Sequence, residues 1–154
     1  MDLQYRVYDR ARHPRAFEVA RERGSANDFS ALDGAHQALV VTFKRSGEPV
    51  PTPVNFGLDG DGRLYFRCEP HVAKIRRIRR DPHVRVGPCN IRGKPLGPMT
   101  EGRARTLPPE EEERAHAALE ANWTRGMAVF EKGADRIGVE AVYVEVEPVV
   151  EQAA

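Results

Sequence analysis

The residue whose setting most invites chemistry is Lys74. It stands in the opening turn of a short segment, His71 to Arg80. Val72, Ile75 and Ile78 fall on one side of that segment, and Lys74, Arg76, Arg77, Arg79 and Arg80 cover the rest. Free backbone N–H groups at a helix start, the positive end of the dipole and an ammonium group together suit a phosphate. A basic helix face is also an ordinary way to solvate a helix, so the pattern alone leaves both readings open. The other reactive residue types do not cluster. The five histidines stand at 13, 36, 71, 83 and 116, with no pair at metal-binding helical spacing. Cys68 and Cys89 form neither a close metal-type pair nor a disulfide framework, which reads as two free thiols in a reducing compartment. No Gly-x-Ser-x-Gly elbow, P-loop or dinucleotide fingerprint occurs. Gly60-Asp61-Gly62 is followed by a strand pattern and not by a helix, so it fails the context such a fingerprint needs. The acidic run Glu110 to Glu113 follows Pro108-Pro109 and reads as a helix start, where carboxylates complement the dipole.

The elements that must position Lys74 are mostly strands. Leu39 to Phe43 is apolar and β-branched, and Arg45-Ser46-Gly47-Glu48 supplies a turn. Val50 to Leu58 alternates: Val50, Thr52, Val54, Phe56 and Leu58 share one face, while Pro51, Pro53, Asn55 and Gly57 share the other. Two prolines in one strand remove ladder donors. Either they mark a protected sheet edge, or the backbone there faces a flat ligand. Asp59-Gly60-Asp61-Gly62 turns the chain into Leu64 to Cys68, and the three strands read as an antiparallel meander. Asp81-Pro82 ends the basic helix. His83 to Gly87 and Glu101 to Leu107 are further strands around a Gly/Pro-rich loop, Pro88 to Pro98. A helix with Ala115, Ala118, Leu119, Asn122 and Trp123 on its buried side follows. Trp123, Met127, Val129 and Phe130 continue an apolar surface, and the last strand runs from Glu140 to Glu147. The reading is mainly β with helical caps: a small barrel of about six antiparallel strands.

With 154 residues the chain fits one domain, and with 24 basic against 23 acidic residues its global charge names no partner. Residues 1–25 read as a polar, arginine-rich N-terminal extension, with a short helix from Pro14 that ends at Gly24 through a left-handed cap. Residues 26–150 read as the main domain, the one that forms the barrel. The Met1 to Arg6 start lacks a signal-peptide core and no apolar run could span a bilayer, so the expectation is a soluble, cytoplasmic protein without membrane or nucleic-acid partners.

The run Val50-Pro51-Thr52-Pro53-Val54-Asn55-Phe56, the hairpin to Leu64-Tyr65-Phe66, and Ala73-Lys74-Ile75-Arg76-Arg77-Ile78-Arg79-Arg80-Asp81-Pro82-His83-Val84 resemble the pyridoxamine-phosphate-oxidase-like superfamily. The continuation from Val86 to Pro98 resembles its coenzyme F420-dependent subgroup, the flavin/deazaflavin oxidoreductase B group. The resemblance covers about Phe29 to Val146. It implies a split β-barrel, a homodimer with two cofactor sites at the interface, and hydride transfer from reduced F420 to a small unsaturated acceptor. By position it implies that Thr52, Pro53, Val54 and Asn55 run beside the tricyclic ring. Arg67 and Cys68 would lie near the ribityl chain, and Val72, Ala73 and Lys74 near the phosphate. Cys89, Asn90, Gly97 and Pro98 would complete the pocket, some of it from the other subunit. Many flavin-phosphate binders of the superfamily carry arginine immediately before the lysine, where this chain has Ala73. That departure tilts the implied cofactor from FMN toward F420, with Arg76, Arg77 or Arg67 as substitutes for the missing fork. A flavin mononucleotide enzyme and a non-catalytic flavin, F420 or tetrapyrrole binder are the alternatives. No catalytic residue is named, no metal is expected, and the histidines offer no axial-ligand pattern.

Overall fold

The computed structural model describes residues 12–138 and 140–150. Among these, seven strands form one antiparallel sheet: β1 (Gln37–Phe43), β2 (Pro49–Asn55), β3 (Gly57–Leu58), β4 (Leu64–Cys68), β5 (His83–Cys89), β6 (Thr100–Thr106) and β7 (Val142–Pro148), in the order β2-β1-β5-β6-β7-β4-β3. The count corrects the expected six. The alternating run from Val50 to Leu58 is two strands, broken at Phe56, which is 1% exposed. β2 and β3 are the two edges of the sheet, yet only Phe56 separates them in sequence. The sheet must therefore curl until its edges nearly meet, which makes it an open, split barrel. The expected meander keeps its antiparallel pairings, but its middle strand is divided between the two edges of the sheet. β1 pairs with β2 and with β5, β3 pairs with β4, and β2 and β3 do not pair.

Alternation along β1 separates two cores. Ala38 and Val40 face the barrel interior with Phe56, Phe66, Ile75, Val84, Val86, Val144 and Val146. Leu39 and Val41 face the outside, where Ala16 and Ala20 of helix α1 (Pro14–Ala20) join them with Cys89 and Met99. Helix α1 thus covers the outer face of the sheet. It ends at Ala20 with Arg21 as cap, short of the expected Gly24. Gly24 serves a different purpose: an added Cβ would lie 2.8 Å from the Met99 carbonyl oxygen, so only glycine lets the chain pass β6 this closely.

Helix α2 (Ala73–Arg80) closes one end of the barrel by burying Ile75 and Ile78. Helix α3 (Glu112–Ala121), entered through a 3-10 turn at Pro109–Glu111, packs Ala115 and Leu119 against Tyr65, Leu107 and Tyr143. At Gly57 an added Cβ would meet the Ala118 carbonyl oxygen at 2.1 Å, so β3 and α3 touch backbone to backbone. Helix α4 (Arg125–Arg136) buries no residue fully, and Val129 and Phe130 of the expected apolar surface are 75% and 74% exposed. Among the described residues no helix is long and apolar enough to cross a membrane.

Candidate functional site

The start of α2 is unusual among the helices of this protein. Its N-cap is Val72, which has no side chain able to accept a hydrogen bond, and no acidic residue occupies the first turn. By contrast, α3 opens on Glu112 and Glu113, and the Thr124 hydroxyl caps α4 by accepting from the Met127 N–H at 3.2 Å. The first turn of any helix leaves N–H groups without helical partners. At α2 those of Ala73 and Lys74 meet no protein acceptor among the described residues.

Lys74 adds charge at the same spot. Its ammonium lies 5.7 Å from the Phe66 ring centroid, and among the described residues no carboxylate is within ion-pair distance. Burial, with the Arg77 and Arg12 cations reinforcing it, pulls this ammonium down to about 8. A half-buried lysine with no carboxylate partner among the described residues and free N–H groups beside it is equipped to take an anion such as a phosphate. Arg77 is oriented differently: its Nε donates to the Thr42 hydroxyl at 2.7 Å, which pins the helix to β1. Arg76 donates to the His71 carbonyl and Arg80 to that of Phe43.

Several of the residues expected near a cofactor gather at this end of the barrel. Val54, Cys68 and Val72 all pack against the interior cluster that contains Phe66, the ring beneath Lys74. Thr52 faces the same way, and its hydroxyl donates to the Val40 carbonyl at 3.3 Å. Pro53 and Asn55 point to the other face of β2, opposite Leu39 and Gln37, and Asn55 accepts from the Gln37 amide at 3.3 Å. Because β2 stays in register with β1 throughout, Pro49, Pro51 and Pro53 must direct their donor-less nitrogens outward. The free edge of β2 along that stretch therefore offers only carbonyl acceptors. The proline strand is a sheet edge.

The remaining expected residues sit elsewhere. The Cys89 side chain belongs to the outer cluster under α1, where burial pushes its thiol up to about 12. Burial also raises the Cys68 thiol, against the pull of the Lys74 ammonium. Neither sulfur is a thiolate nucleophile near neutrality. Asn90 spends its side-chain oxygen on the Arg92 and Lys94 N–H groups at 2.9 and 3.0 Å, which shapes the turn. Gly97 lies against Pro88, 2.9 Å from an added Cβ, and Pro98 is exposed. Arg67 is engaged with α4: its guanidinium pairs with Glu131 and Asp135 and donates to the Tyr143 hydroxyl at 3.0 Å. The partners of Arg67, namely Tyr143, Glu131 and Asp135, were not legible in the sequence, because they lie 76, 64 and 68 positions away.

Four histidines also use a ring nitrogen within the protein. His13 accepts from the Arg15 N–H, His36 meets the Asn122 carbonyl, His83 pairs with Glu101 and His116 meets the Tyr143 hydroxyl. Among the described residues no group of three or more His, Cys, Asp or Glu could hold a metal ion.

Comparison with known proteins gives these features a setting. The family model described as pyridoxamine 5'-phosphate oxidase matches residues 28–152. A FAD-binding protein from Mesorhizobium loti has a similar structure, with a TM-score of 0.53 and 22% identity over 79% of this chain and 84% of that one. A heme binding protein from Mycobacterium smegmatis gives a TM-score of 0.55 and 19% identity over 88% of this chain and 51% of that one. HutZ, the heme storage protein from Vibrio cholerae, gives 0.57 and 12% identity over 79% and 85%. At these identities the likeness is one of fold. No curated protein matches the sequence significantly.

Proposed function

The chain belongs to the pyridoxamine 5'-phosphate oxidase family, and on that premise we propose that it is an oxidoreductase that passes a hydride from reduced coenzyme F420 to a small unsaturated organic acceptor. The observation that carries the reading is the start of α2: two partnerless N–H groups, no acid, and the carboxylate-free Lys74. When bound, the deazaflavin ring supplies the hydride. Lys74 and the Ala73 and Lys74 N–H groups would hold its phosphate. The β2 edge would wall the ring, with the outward Pro51 and Pro53 carbonyls available to ring donors. Thr52 and Val54 fix that edge on the interior core, so the wall does not have to reorganise when the acceptor arrives. Such a reaction asks the protein for orientation and exclusion of water, and needs no catalytic dyad.

Ala73 favours deazaflavin over FMN, since the arginine fork that many flavin-phosphate sites place there is missing. The FAD-binding neighbour keeps an FMN enzyme as the second reading. A tetrapyrrole-binding role has less support here, because the five histidines stand at scattered positions and offer no axial-ligand pattern. The reading includes a homodimer. The Cys89 side chain packs in the outer cluster under α1, while Ile91 and Leu96 of the segment that follows are 78% and 61% exposed. In a dimer they would close the partner's site.

The test is a titration of purified protein with F420 followed by fluorescence. Binding should saturate, and Lys74→Ala should weaken it roughly tenfold or more, the scale of one lost charge-assisted contact. Absence of F420 binding would overturn the proposal, and binding of FMN alone would favour the second reading.

A further inference from the structure

Helix α4 is held to the barrel in an unusual way. It buries no residue fully, and it carries Gly126 in its first turn and Gly133 in its interior. An added Cβ at either would meet nothing within 4 Å, so packing does not require them. Gly133 weakens the helix relative to alanine. Glu131 and Asp135 stand four apart on one helix face, a spacing at which like charges repel.

What offsets these defects is Arg67. Its guanidinium, 12% exposed, takes Glu131 on Nη2 and Asp135 on Nη1, the latter at 3.1 Å. The Trp123 and Tyr143 rings flank it at 5.5 and 5.8 Å. Arg67 Nη1 also donates to the Tyr143 hydroxyl at 3.0 Å, and that hydroxyl's own hydrogen is then left for His116 Nδ1 at 2.7 Å. The result is a planar cation fixed by its surroundings, walled by two aromatic rings and reading two carboxylates. A weak helix supplies both of those carboxylates.

We propose that Arg67, with Tyr143 and Trp123, is a receptor for an oxyanion, carboxylate or phosphate, and that Glu131 and Asp135 of α4 occupy it as internal stand-ins that such a ligand displaces. Helix α4 is then a lid whose closed state and the bound ligand exclude one another. The receptor stands on the geometry of Arg67. Only the identity of the natural ligand rests on the function proposed above, whose phosphate contact is Lys74.

Hydrogen exchange of the 125–136 amides in the full chain tests this, with pyrophosphate as the probe anion. Adding pyrophosphate to the wild-type protein should speed exchange in 125–136 roughly tenfold, while an ionic-strength-matched chloride solution should not. Glu131→Gln/Asp135→Asn should show the same fast exchange without the probe and bind pyrophosphate roughly tenfold tighter than wild type. Glu110→Gln/Glu113→Gln removes equal charge away from Arg67 and should leave affinity within about twofold. Arg67→Gln should exchange fast with or without pyrophosphate. Slow exchange in the double variant, or fast exchange without the gain in affinity, overturns the proposal. Lys74→Ala in the double-variant background should keep the gain, so failure at the Lys74 site reads out separately.

Discussion

Lys74 carries a pH signature with two consequences. Burial holds its ammonium down to about 8, against 10.5 for the ordinary side chain. Between those values the unfolded chain keeps a proton that the folded chain has lost, so this residue makes stability rise with pH through that window. The penalty is fully present below about 8. Lys74→Met should therefore raise the urea midpoint at pH 7 and flatten its climb toward pH 10. An anionic ligand prefers the charged ammonium, so affinity should be full at pH 7 and fall as pH rises past about 8. Calorimetry of F420 binding at pH 7 and pH 9 checks that sign. Glu145 is a residue-scale contrast. It is 3% exposed, accepts from Tyr65, Arg105 and Arg114 at 2.9, 3.1 and 2.9 Å, and ties β4, β6 and α3 to β7. Glu145→Ala removes the acceptor shared by Tyr65, Arg105 and Arg114, but the arginines are half exposed and Arg105 keeps Glu111, so it should cost about 1–2 kcal/mol in urea unfolding, without changing ligand affinity.

At the scale of elements, two glycines make opposite predictions. Gly57→Ala drives a methyl into the α3 backbone at Ala118 and should destabilise by about 2 kcal/mol or more. Gly133→Ala meets open space in α4 and should slow exchange of the 125–136 amides, corresponding to about 1 kcal/mol of helix stability. The same contrast explains what the sequence made legible. β1, β4, β5 and β7 show as β-branched or alternating runs, since each has a buried face that dictates its period. The basic helix shows through Ile75 and Ile78 and its Asp81-Pro82 stop. Phe56 gives no local sign that it is a crossing between two sheet edges, because alternation continues unbroken through it. The exposure of Val129 and Phe130 was equally hidden, since apolar residues at helical spacing look the same whether or not anything covers them. Within the candidate site, Lys74 was legible from its neighbours in sequence. The engagement of Arg67 by Glu131 and Asp135 was not, for it joins residues separated by 64 and 68 positions.

On the scale of the whole molecule, the split barrel sets one end of the sheet against the α2 start and leaves Ile91 and Leu96 of the Cys89 to Pro98 loop exposed. The proposed function needs a second copy to use that loop. Light scattering should give twice the monomer mass, and Ile91→Asp/Leu96→Asp should shift it toward monomer and weaken F420 binding with it. The proposed function turns on whether the α2 start grips the phosphate of a deazaflavin. One preparation should be titrated in parallel with F420 and with FMN, in the wild type and in Lys74→Ala. Saturable F420 binding tighter than FMN binding is expected, with a loss of roughly tenfold or more in Lys74→Ala. Absence of F420 binding, or F420 affinity untouched by the substitution, would contradict that grip.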